Sequence, residues 1–166
     1  ESAGMLRKMG IECDALRCDI SKQEQVKEVV DHTIRRFGKI DILVNNAGIS
    51  FEGAFLDTPL KVWDRLYDVN VRGNYFFTTE AVKHMMAAGG GNIINIVSMG
   101  GVRSVDPAIV TFPAYASTKG ALINLTQHLS RSWAKHNIRV NAIAPGIFPT
   151  ELSKSVIEPR RATLEA

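Results

Sequence analysis

Short apolar runs alternate with longer amphipathic segments along this chain, and the alternation limits the folds that it can adopt. The runs at residues 11–20, 40–48, 92–98 and 138–146 have the length and composition of β-strands. Strands that alternate with helices typically form a parallel sheet that is covered by helices on both faces. The chain has no internal repeat and no low-complexity linker, so we predict a single α/β domain over residues 1–166.

The segment after the first run has the clearest helical pattern. Its apolar residues recur at intervals of three and four positions from residue 26 to residue 37, which places them on one face of a helix. Ser21, followed three positions later by Glu24, predicts a capping box at the start of this helix. Gly38 predicts its end.

Two further helices are predicted. The first begins at Thr58 and Pro59, as N-cap and first-turn proline, and continues to the three glycines at 89–91. The second has Tyr115 and Lys119 near its start. Right-handed crossovers through these helices would place the carboxyl ends of all the strands at one edge of the sheet.

Charge and composition argue against several classes of protein. The chain carries 20 basic and 17 acidic residues, and the two kinds are interleaved, which argues against a nucleic-acid-binding surface. No apolar run has the length that a membrane-spanning helix needs. Cys13 and Cys18 lie in one predicted strand and face opposite sides of it, so we expect free thiols in a cytoplasmic protein. No residue is assigned to a metal.

Small or hydrogen-bonding residues end each predicted strand. Asp19 lies at the end of the first run, the sequence NNAG at 45–48 ends the second, and Ser98 ends the third. Pro145 and Gly146 end the fourth. Loops need such residues in any case, but four strand ends of this kind at one edge predict a groove there. Ligands of open α/β sheets bind along this edge.

Tyr115 and Lys119 are four positions apart on a predicted helix and therefore share one of its faces. The pair is either a solvated edge of that helix or a device for moving a proton. The loop that follows Ser98 is able to fold Tyr115 back toward the end of the third strand. A phenol, an ammonium and a hydroxyl in one groove would favour acid–base chemistry on a substrate oxygen.

The combination of motifs closely resembles the short-chain dehydrogenase/reductase family. The matching segments are NNAG at 45–48, VSMGG around Ser98, YASTK at 115–119 and NAIAPGIFPT at 141–150. The segment VNVRGNYFFTTEAV matches as well, and it contains Asn70. The resemblance implies a Rossmann-type, doubly wound parallel sheet and a nicotinamide-dependent oxidoreductase. It also implies a catalytic set, which consists of Asn70, Ser98, Tyr115 and Lys119.

The resemblance gives each of these residues a role. Tyr115 exchanges a proton with the substrate oxygen, and Ser98 donates a hydrogen bond to that oxygen. Because an ordinary tyrosine has a pKa of about 10, Lys119 and the cationic nicotinamide would have to lower the pKa of the phenol. Lys119 also binds the nicotinamide ribose. Asn70 holds a water molecule that links Lys119 to solvent, although a polar residue at this position is also able simply to repair a bend in its helix.

The implied cofactor is NAD or NADP. The expected cofactor-binding residues are Asp19 and Ile20 at the adenine, Asn46, Ala47 and Gly48 at the adenosine ribose, Tyr115 and Lys119 at the nicotinamide ribose, Pro145 and Gly146 beneath the nicotinamide, and Phe148 and Thr150 at its carboxamide. The glycine-rich phosphate loop of the family is not found in this sequence. We therefore expect residues 1–166 to be a piece of a longer enzyme, truncated at both ends.

Three alternatives for the function remain. The loop between Ser98 and Tyr115, together with PGIFPT at 145–150, resembles the gluconate 5-dehydrogenase-like branch, which acts on sugar acids and polyols. The second alternative is a 3-oxoacyl carrier-protein reductase, which needs a basic patch that Arg103 alone does not supply. The third is a non-catalytic module that binds a partner. The resemblance also implies a homodimer or homotetramer, because the helices around Asn70 and Tyr115 form the family's dimer contact.

Overall fold

Three parallel strands form one sheet in the computed structural model, which describes residues 2–107, 109–148 and 158. The strands are, in chain order and in sheet order, β1 (Ile42–Asn45), β2 (Gly91–Ile96) and β3 (Ile138–Ile143). The register places Val44 beside Ile94 and Ile94 beside Asn141. The carboxyl ends of all three strands therefore lie at one edge, as the alternation predicted.

Helices precede, separate and flank the strands. The α-helices within the described residues are α1 (Ser2–Lys8), α2 (Gln23–Phe37), α3 (Leu60–Tyr67), α4 (Asn74–Ala87), α5 (Met99–Val102) and α6 (Pro113–Trp133). A π-helical segment, Asp68–Gly73, joins α3 to α4, and short 3-10 turns occupy Phe55–Asp57 and Ala134–His136. In this part of the chain, no helix has the length and apolar character that crossing a membrane requires.

The prediction of a strand over residues 11–20 is wrong. This segment forms no strand and pairs with no other strand in the described chain. Side chains hold it instead, because Asp14 accepts a hydrogen bond from His32 at 2.8 Å and Glu12 forms an ion pair with Arg36 on α2. The length and composition of this run were misleading, since a strand also needs a neighbouring strand for its backbone groups.

The predicted capping box at Ser21 is also wrong. Lys22, not Ser21, is the N-cap of α2, and no side chain caps that helix end. The Ser21 hydroxyl donates instead to the Asp19 carboxylate at 2.7 Å. The predicted end is confirmed, because Gly38 has φ of 81° and its N–H donates to the carbonyl of Ile34.

The second predicted helix exists but is interrupted. It begins at Leu60 with Pro59 as N-cap, and its α-helical pattern changes to π-helical at Asp68–Gly73 before α4 continues. The Gly73 α-carbon packs directly on Ile20, and a Cβ atom at position 73 would lie 2.7 Å from the Ile20 side chain. The π-helical segment, which contains Asn70, therefore fits closely against the loop that precedes α2.

One apolar core lies between the sheet and helices α4 and α6. Its buried residues are Val82, Met85, Ile93, Ile138 and Val140, with Leu129 and Trp133 of α6 packed against them. β1 departs from the expectation that its apolar run is buried on both faces, because Ile42 is 58% and Val44 is 51% exposed. Among the described residues, α4 covers the face of β1 that carries Asn45.

A chain of buried polar side chains crosses the core at the end of the sheet that leads to the predicted groove. Asn45 donates to Thr78 of α4 at 3.0 Å and to Asn95 of β2 at 2.9 Å. Asn95 in turn donates to Thr126 of α6 at 2.9 Å. These bonds tie both helices to the sheet.

Candidate active site

A cavity of about 470 Å³ opens at the carboxyl edge of the sheet. It brings together most of the residues predicted for catalysis and for the nicotinamide end of a cofactor: Asn46, Gly48, Ser98, Tyr115, Lys119, Pro145, Gly146 and Phe148. Three strand ends and the first turns of α6 contribute these residues. Thr150 lies outside the described residues.

Ser98 follows β2 and is the N-cap of α5. Its Oγ accepts a hydrogen bond from the N–H of Gly100 at 3.2 Å. Because this contact uses an oxygen lone pair, the hydroxyl hydrogen stays available for an acceptor in the cavity. The Ser98 side chain lies close enough to Tyr115 to influence the pKa of its phenol.

Tyr115 lies in the first turn of α6, which begins at Pro113. Burial raises the pKa of its phenol above the ordinary value for tyrosine, and the contact with Ser98 partly opposes this rise by lowering the pKa. The expectation that the phenol has a lowered pKa is therefore not met by the described residues. Tyr115 is protonated at neutral pH in this environment and is able to donate a proton.

Lys119 lies one helical turn after Tyr115 and is 4% exposed. Its Nζ donates to the carbonyl of Ile96 at 2.8 Å and lies 5.7 Å from the centroid of the Tyr115 ring. Burial lowers the pKa of the Lys119 ammonium. The i, i+4 spacing thus places both side chains at one cavity wall, and the reading of a solvated helix edge is wrong.

Asn70 lies behind the cavity wall and is fully buried in the π-helical segment. Its Oδ1 accepts from the N–H of Ile49 at 2.9 Å, and its Nδ2 donates to the carbonyl of Ile49 at 2.9 Å. The amide therefore holds the loop after β1 from both sides. The carbonyl of Asn70 accepts a hydrogen bond from the Asn74 side chain, so Asn74 compensates the altered helical bonding.

The residues predicted for the adenosine end are only partly brought together. Ile20, Asn46 and Ala47 line a separate cavity of about 80 Å³, as expected if they approach one ligand group. Asp19 lines neither this cavity nor the larger one. Its carboxylate accepts hydrogen bonds from the hydroxyl and the N–H of Ser21, which lower its pKa, and Arg65 adds a weaker contribution.

Sequence reasoning missed the apolar wall of the large cavity. This wall is formed by Ile49, Phe51, Met99, Val105, Val110 and Phe112. Phe112 contacts the Tyr115 ring edge-on, with 5.8 Å between ring centroids and 86° between ring planes. The position of Phe112 directly before Pro113 at a helix start is the sequence signal that could have placed it close to the Tyr115 phenol.

A second cavity of about 500 Å³ lies behind this wall. It shares Gly100, Val105, Val110 and Phe112 with the first cavity and has Arg103 in its lining. A Cβ atom on Gly100 would lie 2.5 Å from the Phe112 ring. Phe112 is thus held between Gly100 and Tyr115 and separates the two cavities.

Comparison with known proteins finds a family with these features. The family model described as short chain dehydrogenase matches residues 2–161. An NAD-dependent glycerol dehydrogenase from Listeria innocua is 37% identical over 140 residues, which cover 84% of this chain and 54% of that protein. A 2-dehydro-3-deoxy-D-gluconate 5-dehydrogenase from Escherichia coli is 39% identical over 141 residues, which cover 82% of this chain and 53% of that protein.

A solved structure shows the same fold. The gluconate 5-dehydrogenase from Burkholderia cenocepacia, in complex with NADP and tartrate, matches with a TM-score of 0.87 and 35% identity. The match covers 95% of this chain and 60% of that protein. The chain therefore spans about half the length of the two curated relatives and somewhat more of this solved structure.

Proposed function

Because this chain belongs to the short-chain dehydrogenase family, we propose that the protein is an NAD(P)-dependent oxidoreductase. It would transfer a hydride between the nicotinamide and the carbonyl carbon of a ketone, or the corresponding carbon of a secondary alcohol. One observation carries the proposal: the phenol of Tyr115, the hydroxyl of Ser98 and the buried ammonium of Lys119 line one cavity.

In the reductive direction the carbonyl carbon gains a hydride and the carbonyl oxygen gains the phenolic proton of Tyr115. The raised pKa of Tyr115 suits its role as proton donor in this direction, because it keeps the proton on the phenol until the oxygen becomes basic. Ser98 donates its hydroxyl hydrogen to the same oxygen and stabilises the charge that develops there. In the oxidative direction the same groups act in reverse, with Tyr115 as general base.

The residues present fit a nicotinamide nucleotide. When bound, the dinucleotide supplies the hydride donor or acceptor. Lys119 has three donor hydrogens and gives one to Ile96, which leaves two for ribose hydroxyls. Gly48 leaves open the space that a side chain would fill beside Lys119 Nζ. Pro145, Gly146 and Phe148 would lie at the nicotinamide ring.

The remaining assignments extend the proposal away from the nicotinamide. Ile20, Asn46 and Ala47 would receive the adenosine end, with Asp19 beside them. Asn70 would position the loop after β1 and hold the water molecule that connects Lys119 to solvent. The relatives' names include both an NAD-dependent enzyme and an NADP complex, so the proposal covers either cofactor.

A polyol or a sugar acid is the proposed substrate class. Support comes from relatives that are named glycerol dehydrogenase, 2-dehydro-3-deoxy-D-gluconate 5-dehydrogenase and gluconate 5-dehydrogenase. Lys119 is the one cationic side chain among the described residues that line the cavity of about 470 Å³ around Tyr115. Since the proposed ribose contact uses this ammonium, the described lining favours a neutral polyol over a sugar acid.

The test measures nicotinamide oxidation and reduction by the complete protein with a panel of substrates. The panel contains ketoses with their polyols, 5-keto-gluconate, and a 3-oxoacyl thioester. Tyr115→Phe is expected to lower kcat on the preferred substrate by about a thousandfold, with dinucleotide binding and circular dichroism unchanged. Activity of this variant within a few-fold of the parent protein would refute the proposed mechanism. Turnover of the thioester alone would favour the carrier-protein reductase.

We also propose a homodimer or homotetramer as the assembly. Support comes from the long helices α4 and α6, which cover one face of the sheet and still carry exposed residues such as Tyr75, 54% exposed. Sedimentation equilibrium of the complete protein distinguishes these states from a monomer. A Tyr75→Glu variant is expected to shift the assembly toward monomer if this helix face is the contact.

A further inference from the structure

Thr118 connects two proposed catalytic residues and was not itself singled out by the sequence. Its side chain is fully buried, one position before Lys119. Its Oγ1 accepts a hydrogen bond from Asn70 Nδ2 at 3.0 Å and donates one to the carbonyl of Tyr115 at 2.7 Å. The hydroxyl therefore joins the π-helical segment to the first turn of α6.

The hydrogen bonds of Asn70 show what depends on this hydroxyl. Both Nδ2 hydrogens of Asn70 are used, one by the carbonyl of Ile49 and one by Thr118 Oγ1. Its Oδ1 accepts from the N–H of Ile49. Without the Thr118 hydroxyl, one buried N–H would have no acceptor, and only the two bonds with Ile49 would hold the amide in place.

We infer that Thr118 is a positioning residue for the proposed reaction. It acts through Asn70 on the loop that carries Gly48 and Ile49, and through the Tyr115 carbonyl on the start of α6. The inference rests on the proposed function, because it requires that this loop and Tyr115 take part in cofactor binding and proton transfer. Position 118 needs a hydroxyl, and a side chain of the same volume without one is not sufficient.

The chain contains a matched control for Thr118. Thr126 lies two turns later on the same helix and is also buried. Its Oγ1 accepts from Asn95 Nδ2 at 2.9 Å and donates to the carbonyl of Leu122 at 2.7 Å. A valine at either position therefore removes one bond from a buried asparagine amide and one to the helix backbone, but only position 118 contacts the proposed site.

The experiment compares Thr118→Val, Thr118→Ser and Thr126→Val in the complete protein, on the substrate that the parent turns over best. Thr118→Val is expected to lower kcat/KM for the dinucleotide about tenfold, a loss comparable to that of one buried hydrogen bond. Thr118→Ser is expected to restore it to within about threefold of the parent. Thr126→Val is expected to lower the melting temperature as much as Thr118→Val and to leave kcat/KM within about threefold.

Two results would overturn the inference. One is a Thr118→Val variant whose kcat/KM equals that of Thr126→Val, and the other is a Thr118→Ser variant as impaired as Thr118→Val. Tyr115→Phe is measured in parallel, so that the two proposals fail separately. If Tyr115→Phe is active, the proposed function fails. If it is inactive and Thr118→Val behaves like Thr126→Val, only the role of Thr118 fails.

Discussion

Gly48 packs so closely against Asn70 that a Cβ atom at position 48 would lie 3.2 Å from Asn70 Oδ1. The same atom would lie 3.6 Å from Lys119 Nζ. The contact with Asn70 is tighter than ordinary van der Waals packing, and Asn70 cannot retreat easily because its amide is bonded to Ile49. The absence of a side chain at position 48 thus keeps the loop, the amide and the ammonium in contact.

Gly48→Ala is therefore expected to destabilise the protein and weaken dinucleotide binding. Overpacking of this kind typically costs about 1–3 kcal/mol of unfolding free energy. Gly146→Ala is the control, because a Cβ atom there meets nothing within 4 Å, and its unfolding free energy should change by less than about 0.5 kcal/mol. Chemical denaturation without dinucleotide gives both values, and equal effects of the two substitutions would contradict the packing argument.

The raised pKa of Tyr115 makes a prediction about pH. As a general acid, Tyr115 is active while protonated, so kcat/KM for carbonyl reduction should stay constant through neutral pH and fall only above the ordinary pKa of tyrosine. Alcohol oxidation needs the phenolate, so kcat/KM for oxidation should rise with pH as the phenol loses its proton. Ser98→Ala removes the contact that lowers this pKa. It should therefore move the fall of reduction and the rise of oxidation, the two limbs of the pH profile, to higher pH, and it should also slow the reaction.

The measurement is a pH profile of kcat/KM in both directions for the parent protein and for Ser98→Ala. A limb that moves to lower pH in Ser98→Ala would contradict the assigned direction of the Ser98 effect. A fall of kcat/KM for reduction near neutral pH would contradict a raised pKa of the Tyr115 phenol.

Phe112 is expected to limit the size of the substrates that the cavity accepts. Because it separates the cavities of about 470 and 500 Å³, Phe112→Ala is expected to join them. The ratio of kcat/KM for long-chain over short-chain secondary alcohols should rise about tenfold. Phe51→Ala is the matched control, since Phe51 lines only the first cavity. An equal change of the ratio in both variants would show that the second cavity does not receive the longer chains.

The parallel sheet could be predicted from the sequence because local patterns determine much of it. The runs around β2 and β3 are strands, and α2 ends at Gly38 as expected. The run at 11–20 failed because strand formation depends on a neighbouring strand, which a local pattern does not reveal. The π-helical segment was not foreseen, because its apolar spacing resembles that of an ordinary helix.

The candidate site could be predicted where short motifs fix spacing along one helix or at strand ends. Tyr115, Lys119 and Ser98 share one cavity for this reason. Burial, which is a property of the folded chain, raises the pKa of Tyr115 and outweighs the contact with Ser98, whereas the predicted lowering of this pKa requires a cationic nicotinamide beside the phenol and stays a prediction. Thr118 and Phe112 were missed because their importance lies in contacts with Asn70 and Gly100, which are distant in sequence.

The buried polar chain through Asn45 and Asn95 is expected to stabilise the fold. Asn95→Leu removes the acceptor of one Asn45 N–H bond and the donor to Thr126, while Thr78 still accepts from Asn45. Leaving such groups unpaired in the core should cost about 1–3 kcal/mol of unfolding free energy.

Asn141→Leu is the control for this substitution. Asn141 lies on the neighbouring strand β3 but is exposed, so the same change should alter the unfolding free energy by less than about 0.5 kcal/mol. Denaturant titration of both variants measures the difference. If Asn95→Leu is as stable as Asn141→Leu, the added apolar burial offsets the lost bonds, and the polar chain does not hold α4 and α6 to the sheet.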